Sequence, residues 1–141
     1  MITTPVDIIE QGFDENLLGI TDPARLESFL NSTIVVAKYR LQVWLNVKDE
    51  YALVEAAQPT DEKRMRFARA ELFLSIAELL PFAHAASSVG ETSINVMGFS
   101  IKMADVTPEE SIQIRRSLAD EAYRILGDSV EGSKYSGVAI L

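Results

Sequence analysis

The stretch "ETSINVMGFSIKM", residues 91–103, decides the fold, because it breaks the pattern of everything around it. Ile94 and Val96, then Phe99, Ile101 and Met103, alternate with Thr, Ser, Asn, Ser and Lys. Alternation with period two marks a strand, since successive side chains point to opposite faces. Nearly all the remaining apolar residues recur at three and four. The fold class that follows is mainly α: a small helical bundle with an extended arm or β-hairpin between the second and third main helices, and a C-terminal tail.

With Met97-Gly98 as a two-residue turn, Val96 faces Phe99, Ile94 faces Ile101 and Thr92 faces Met103, all on one side. Met is a poor residue where such turns need positive φ. A hairpin and an extended strand pairing with another chain therefore both stay open. In either form one side is apolar, and a lone two-stranded hairpin is marginal in water. That side is covered by the chain's own helices or by a neighbouring subunit.

On the C-terminal side, Thr107-Pro108-Glu109-Glu110 is a helix start: a threonine cap, proline at the first position and glutamate completing a capping box. Ile112, Arg115, Leu118, Ala119, Ala122, Ile125 and Leu126 continue with helical spacing, and Gly127 supplies the stop. The tail "DSVEGSKYSGVAIL", 128–141, has small-residue breaks and an apolar end. On the N-terminal side, Thr60 is expected to cap a helix whose apolar positions Ala68, Leu72, Phe73, Ile76, Ala77, Leu79 and Leu80 cover more than one stripe. Such a helix is central, or faces partners on two sides. Pro81 should bend or stop it, because proline lacks a backbone donor and its ring clashes with the preceding turn.

Further upstream, Thr21 or Asp22 and Pro23 open another helix. Its predicted buried stripe is Leu26, Phe29, Leu30, Thr33, Ala37, Leu41 and Trp44, with Trp44 as a core or interface anchor. "VKDEYALVEAA" either continues this helix or starts another, ended by Pro59. Residues 1–20 are expected to be an arm or short helix lying on the surface. The organisation is an N-terminal arm (1–20), a helical domain (21–127) carrying the arm 90–106, and the tail 128–141.

The chain has 141 residues, a formal net charge of -8 and no cysteine. The length suits one domain with a modest core. The charge argues against a general phosphate-binding surface, and the missing cysteines remove disulfides, thiolate nucleophiles and zinc–thiolate sites. No apolar run approaches the ~18 residues a membrane span needs, and the start lacks the basic flank of a signal peptide, so cytoplasmic synthesis is expected. His84, the single histidine, suits a structural role better than a triad. Glu-x-x-His, Glu-x-x-Glu and Glu-x-x-Asp spacings are all missing, which disfavours di-metal helical sites. The glycines lack phosphate-loop spacing. No enzyme, cofactor or metal is expected. Lys63, Arg64, Arg66 and Arg69 cluster within two turns, and solvation or salt bridges to the abundant acids account for them better than an acidic partner does.

The order of elements, with "AELFLSIAELLPFA", then "GETSINVMGFSIKMADVT", "PEESIQIRRSLADEAYRIL" and the apolar tail, resembles the head–tail adaptor proteins of tailed bacteriophages. The likeness covers roughly Asp22 to Leu141 and rests on arrangement. It implies a structural virion protein, made in the host cytoplasm, that forms rings of commonly about twelve copies beneath the portal protein. Such a ring joins the head to tail or neck proteins and lets DNA pass without specific binding. By the same likeness, Ile94, Val96, Phe99, Ile101 and Met103 would contact neighbouring subunits, and Tyr135, Val138, Ile140 and Leu141 would reach the portal. An acidic lumen would repel DNA phosphates. The alternative is a helical interaction or regulatory module that docks to one partner through its arm. A third possibility is a binder or enzyme with a pocket around Trp44, Phe73 and His84, which would need a cavity with convergent polar groups.

Overall fold

A computed structural model of the chain describes residues 1–45, 48–86, 93–96, 99–102 and 106–127. In chain order the elements are α1 (Pro5–Glu10), α2 (Glu15–Leu18), α3 (Pro23–Leu45), α4 (Lys48–Glu55), α5 (Glu62–Ala86), β1 (Ser93–Val96), β2 (Phe99–Lys102) and α6 (Pro108–Gly127). The architecture is mainly helical with one two-stranded hairpin, as the periodicities require.

The central helix is α5. Phe67, Ala70, Leu74, Ile76, Ala77, Leu79, Leu80 and Ala83 are all buried, so the helix is covered on more than one side by α3 and α6. Asp61, rather than Thr60, caps it: the backbone N–H of Arg64 donates to Asp61 Oδ2 at 2.9 Å. Pro81 does not stop α5, which continues to Ala86. The backbone group that Pro81 leaves without its helical donor is the carbonyl of Ala77, four residues back. Arg115 of α6 supplies the replacement, its Nε–H donating to that carbonyl at 3.0 Å. A side chain from the neighbouring helix thus completes the ladder that proline interrupts.

In α3 the buried stripe is Leu26, Leu30, Ile34, Ala37 and Leu41, spaced by three and four. Two members of the expected stripe differ. Thr33 is half-buried and returns its hydroxyl to the Phe29 carbonyl at 3.0 Å, and Trp44 is exposed rather than a core anchor. Residues 48–55 form a separate helix, α4, which buries Tyr51 and Val54. The start of α6 carries the expected threonine cap, with Glu110 N–H donating to Thr107 Oγ1, while Glu110 Oε1 accepts from the Thr107 hydroxyl, both at 3.2 Å.

The N-terminal twenty residues do not lie on the surface as an arm. Ile8, Phe13 and Leu17 are fully or almost fully buried and belong to the same core as α3 and α5. Local caps shape this segment: Asp7 Oδ2 accepts from the Thr4 backbone N–H at 2.7 Å, and Asp14 Oδ1 accepts from Asn16 and Leu17 N–H at 3.1 and 3.0 Å. Short helices of this size do not persist alone. Burial of their apolar side chains is what holds them.

The hairpin pairs Ser93 with Lys102, Ile94 with Ile101, Asn95 with Ser100 and Val96 with Phe99, antiparallel. This is the register read from the alternation. The Met97-Gly98 turn lies outside the described residues.

Candidate functional site

Of the arm, which the sequence left open to its own helices or to a neighbouring subunit, Ile94 and Ile101 turn to their own subunit. Ile94 is buried in the core and Ile101 packs against it, partly buried. The Asn95 backbone N–H donates to the Gln11 carbonyl at 2.8 Å, docking β1 beside the N-terminal segment. The close approach needs Gly12: its φ is +105°, and a Cβ there would stand 2.6 Å from the Ser93 carbonyl oxygen. Val96 and Phe99 are placed by backbone register, whereas Met103, Tyr135, Val138, Ile140 and Leu141 lie outside the described residues. His84 falls in the last turn of α5.

Among the described residues, the outer face of α3 stands exposed. Val35, Val36, Tyr39 and Val43 are 52%, 43%, 65% and 58% exposed. At 100° per residue they lie opposite the buried stripe, on one side of the helix. Trp44, half-exposed at the end of the same helix, falls on the side of the buried stripe and is no part of this face. The four outer side chains present on the order of 400 Å² to solvent. A shallow open depression runs on along the helix toward its start, lined by Glu27, Ser28, Asn31, Ser32, Val35 and Val36. The signal was present in "STIVVAKYRLQVW", where a second apolar stripe runs beside the first. One helix with two apolar faces needs two partners, and the described residues supply one.

A second feature is a buried carboxylate. Glu71 of α5 is fully buried. Its Oε1 accepts from the backbone N–H of Ile2 and Thr3 at 3.0 and 2.7 Å, and its Oε2 accepts from the Tyr51 hydroxyl at 2.9 Å. Burial and the adjacent Glu71 carboxylate push the Tyr51 phenol above its ordinary value, which keeps it a donor. The Tyr51 ring stands edge-on to Phe67 at 5.0 Å, with the Lys38 ammonium 5.4 Å from its centroid. Lys38 also donates to Glu55 at 2.7 Å, and Glu55 pairs with the amino group of Met1. With both oxygens engaged and no solvent exposure, Glu71 acts as a clamp for the N-terminal segment, not as a group offered to a ligand. Sequence reasoning could not find it, since one glutamate within an apolar helix has no distinguishing spacing.

The cation cluster is largely paired. Lys63 meets Glu50 at 2.7 Å and Arg66 meets Glu62 at 2.8 Å. Arg64 closes the end of α4 by donating to the Val54 and Glu55 carbonyls at 3.0 and 2.7 Å, and the Arg69 guanidinium lies 5.3 Å over the Phe73 ring. These partners account for the cluster without a nucleic acid. Among the described residues no group of three or more His, Cys, Asp or Glu could hold a metal ion, and no helix is long and apolar enough to cross a membrane. No protein-family model, curated protein or solved structure matches this chain.

Proposed function

We propose that this chain is a non-catalytic assembly subunit of the head–tail adaptor kind: a virion protein whose copies form a ring at the portal, joining head to neck or tail proteins around a lumen for DNA. The observation that carries this reading is the uncovered apolar face of α3. Apolar patches of this size are among the largest that single folded chains carry, and they often serve binding. The area exposed is about half of the roughly 800 Å² that each partner contributes to a standard interface. The hairpin, closed on its own core, leaves α3 as the surface on which a neighbouring copy would seat. A net charge of -8 suits a wall past which DNA slides.

A second reading is favoured by one observation, the burial of Ile94 within its own subunit. A self-contained module needs no neighbour to cover its arm and could offer α3 to a single partner. The mass of the species in solution separates the two. By light scattering and native mass spectrometry, a ring subunit gives a closed oligomer of many copies, and Tyr39→Asp in the middle of the stripe returns it to monomer. A chain that stays monomeric at every concentration removes the adaptor reading and leaves the module.

A further inference from the structure

Independently of the adaptor reading, we infer that the N-terminal segment and the hairpin form one clasp, closed by Glu71, that opens as a unit while the α3–α5–α6 body stays folded.

The segment is anchored at its start by charge-assisted bonds, with the Ile2 and Thr3 N–H groups on Glu71 Oε1, and by the Thr3 hydroxyl donating to the Ala68 carbonyl at 3.2 Å. Its far end carries the hairpin, through the Asn95 to Gln11 bond and the contact that only glycine permits at position 12. Between these points lies a six-residue helix with one buried side chain, Ile8, too little by itself to hold its place if either end lets go. A two-stranded hairpin, in turn, is marginal without a surface to lie on. Loss of the Glu71 anchor therefore removes part of the surface that supports the strands, although the anchor's own bonds go to Ile2, Thr3 and Tyr51. When the clasp opens, the apolar side of the hairpin, Ile94 with Ile101, becomes available to another chain. This gives the fold a closed form with its arm folded in and an open form with its arm free.

Linkage makes the coupling reciprocal: if opening one end favours opening the other, the converse holds with the same coupling, so a change that opens either end must loosen the other. The test is residue-resolved amide hydrogen exchange on the full chain at low protein concentration, with Glu71→Gln at one end and Gly12→Ala at the other. The amide introduced by E71Q keeps an uncharged acceptor for Ile2 and Thr3 and turns a donor toward the Tyr51 hydroxyl, which must then accept rather than donate, so the charge-assisted strength of the anchor is lost. Expected is exchange about tenfold faster or more at Asn95 and its β-neighbours in E71Q, and at the Thr3 amide in G12A, while the amides of α5 and α6 hold their rates. Acceleration confined to the altered end shows two independent elements and overturns the clasp. Equal acceleration throughout α5 and α6 shows global unfolding and also overturns it. Tyr51→Phe, which removes one donor to Glu71 and keeps its charge, gives the same pattern at smaller amplitude should E71Q not fold.

Discussion

Replacing Arg115 by Met tests whether a side chain from α6 truly completes the backbone of α5. Met keeps the aliphatic packing of the arginine stem but has no donor. The Ala77 carbonyl, in a fully buried residue, would then have neither a backbone N–H from Pro81 nor the Arg115 Nε–H now 3.0 Å away. Losing a hydrogen bond from a charged donor to a buried acceptor costs about 1.5–3 kcal/mol, so R115M should destabilise by that amount. Pro81→Ala supplies the missing N–H in place. In that background Ala77 already has its helical donor, and R115M should cost less than about 1 kcal/mol. The coupling between positions 81 and 115 is thus on the order of 1–2 kcal/mol, within reach of a double-mutant cycle. Urea unfolding followed by circular dichroism gives the four stabilities, with constant m confirming that the same transition is measured. If R115M costs the same with proline and with alanine at 81, the two residues do not share a carbonyl and the reasoning is wrong.

Three other consequences are simpler. Burial pushes Glu55 up, but its bonds to Lys38 and the Met1 amino group outweigh this and hold it below its ordinary value of 4.5. Its contribution is therefore complete above that value and lost as pH falls through the depressed one, so Lys38→Met should flatten the acid limb of stability against pH, followed by urea unfolding across the acid range. Thr107→Ala removes the capping hydroxyl of α6 and should cost about 1 kcal/mol, seen as a lower urea midpoint and faster exchange in the first turn. Gly19 has φ +69° with open space where a Cβ would go; Gly19→Ala should cost about 1 kcal/mol through backbone strain alone, and Gly19→Asn less, by thermal melting.

Much of the architecture was legible because it is written in local chemistry. The alternation from Ile94 to Ile101 set the strand faces and the register, since a one-residue slip would turn every side chain over. Thr107 to Glu110 marked the start of α6, and the several stripes of α5 marked a central helix. These signals act within a turn or a pair of strands and need no knowledge of the rest of the chain.

Other features depended on which surfaces meet. Residues 1–20 read as an arm or short helix on the surface because their apolar residues are broken by glycines and edged by acids, yet Ile8, Phe13 and Leu17 enter the core once α3 and α5 leave room for them. Pro81 read as a bend or helix end because a local rule counts only local donors, whereas Arg115 reaches the freed carbonyl from a helix far downstream. The apolar side of the hairpin was legible as something to be covered, but whether its own helices or another chain covered it was a question of packing. The sequence by itself determined where helices and strands run, through periodicity and caps acting over a few residues. Only the tertiary structure decided that Ile94 turns inward, that Glu71 holds the N-terminal segment and that α3 keeps one apolar face open, because burial and pairing across the chain belong to the assembled fold.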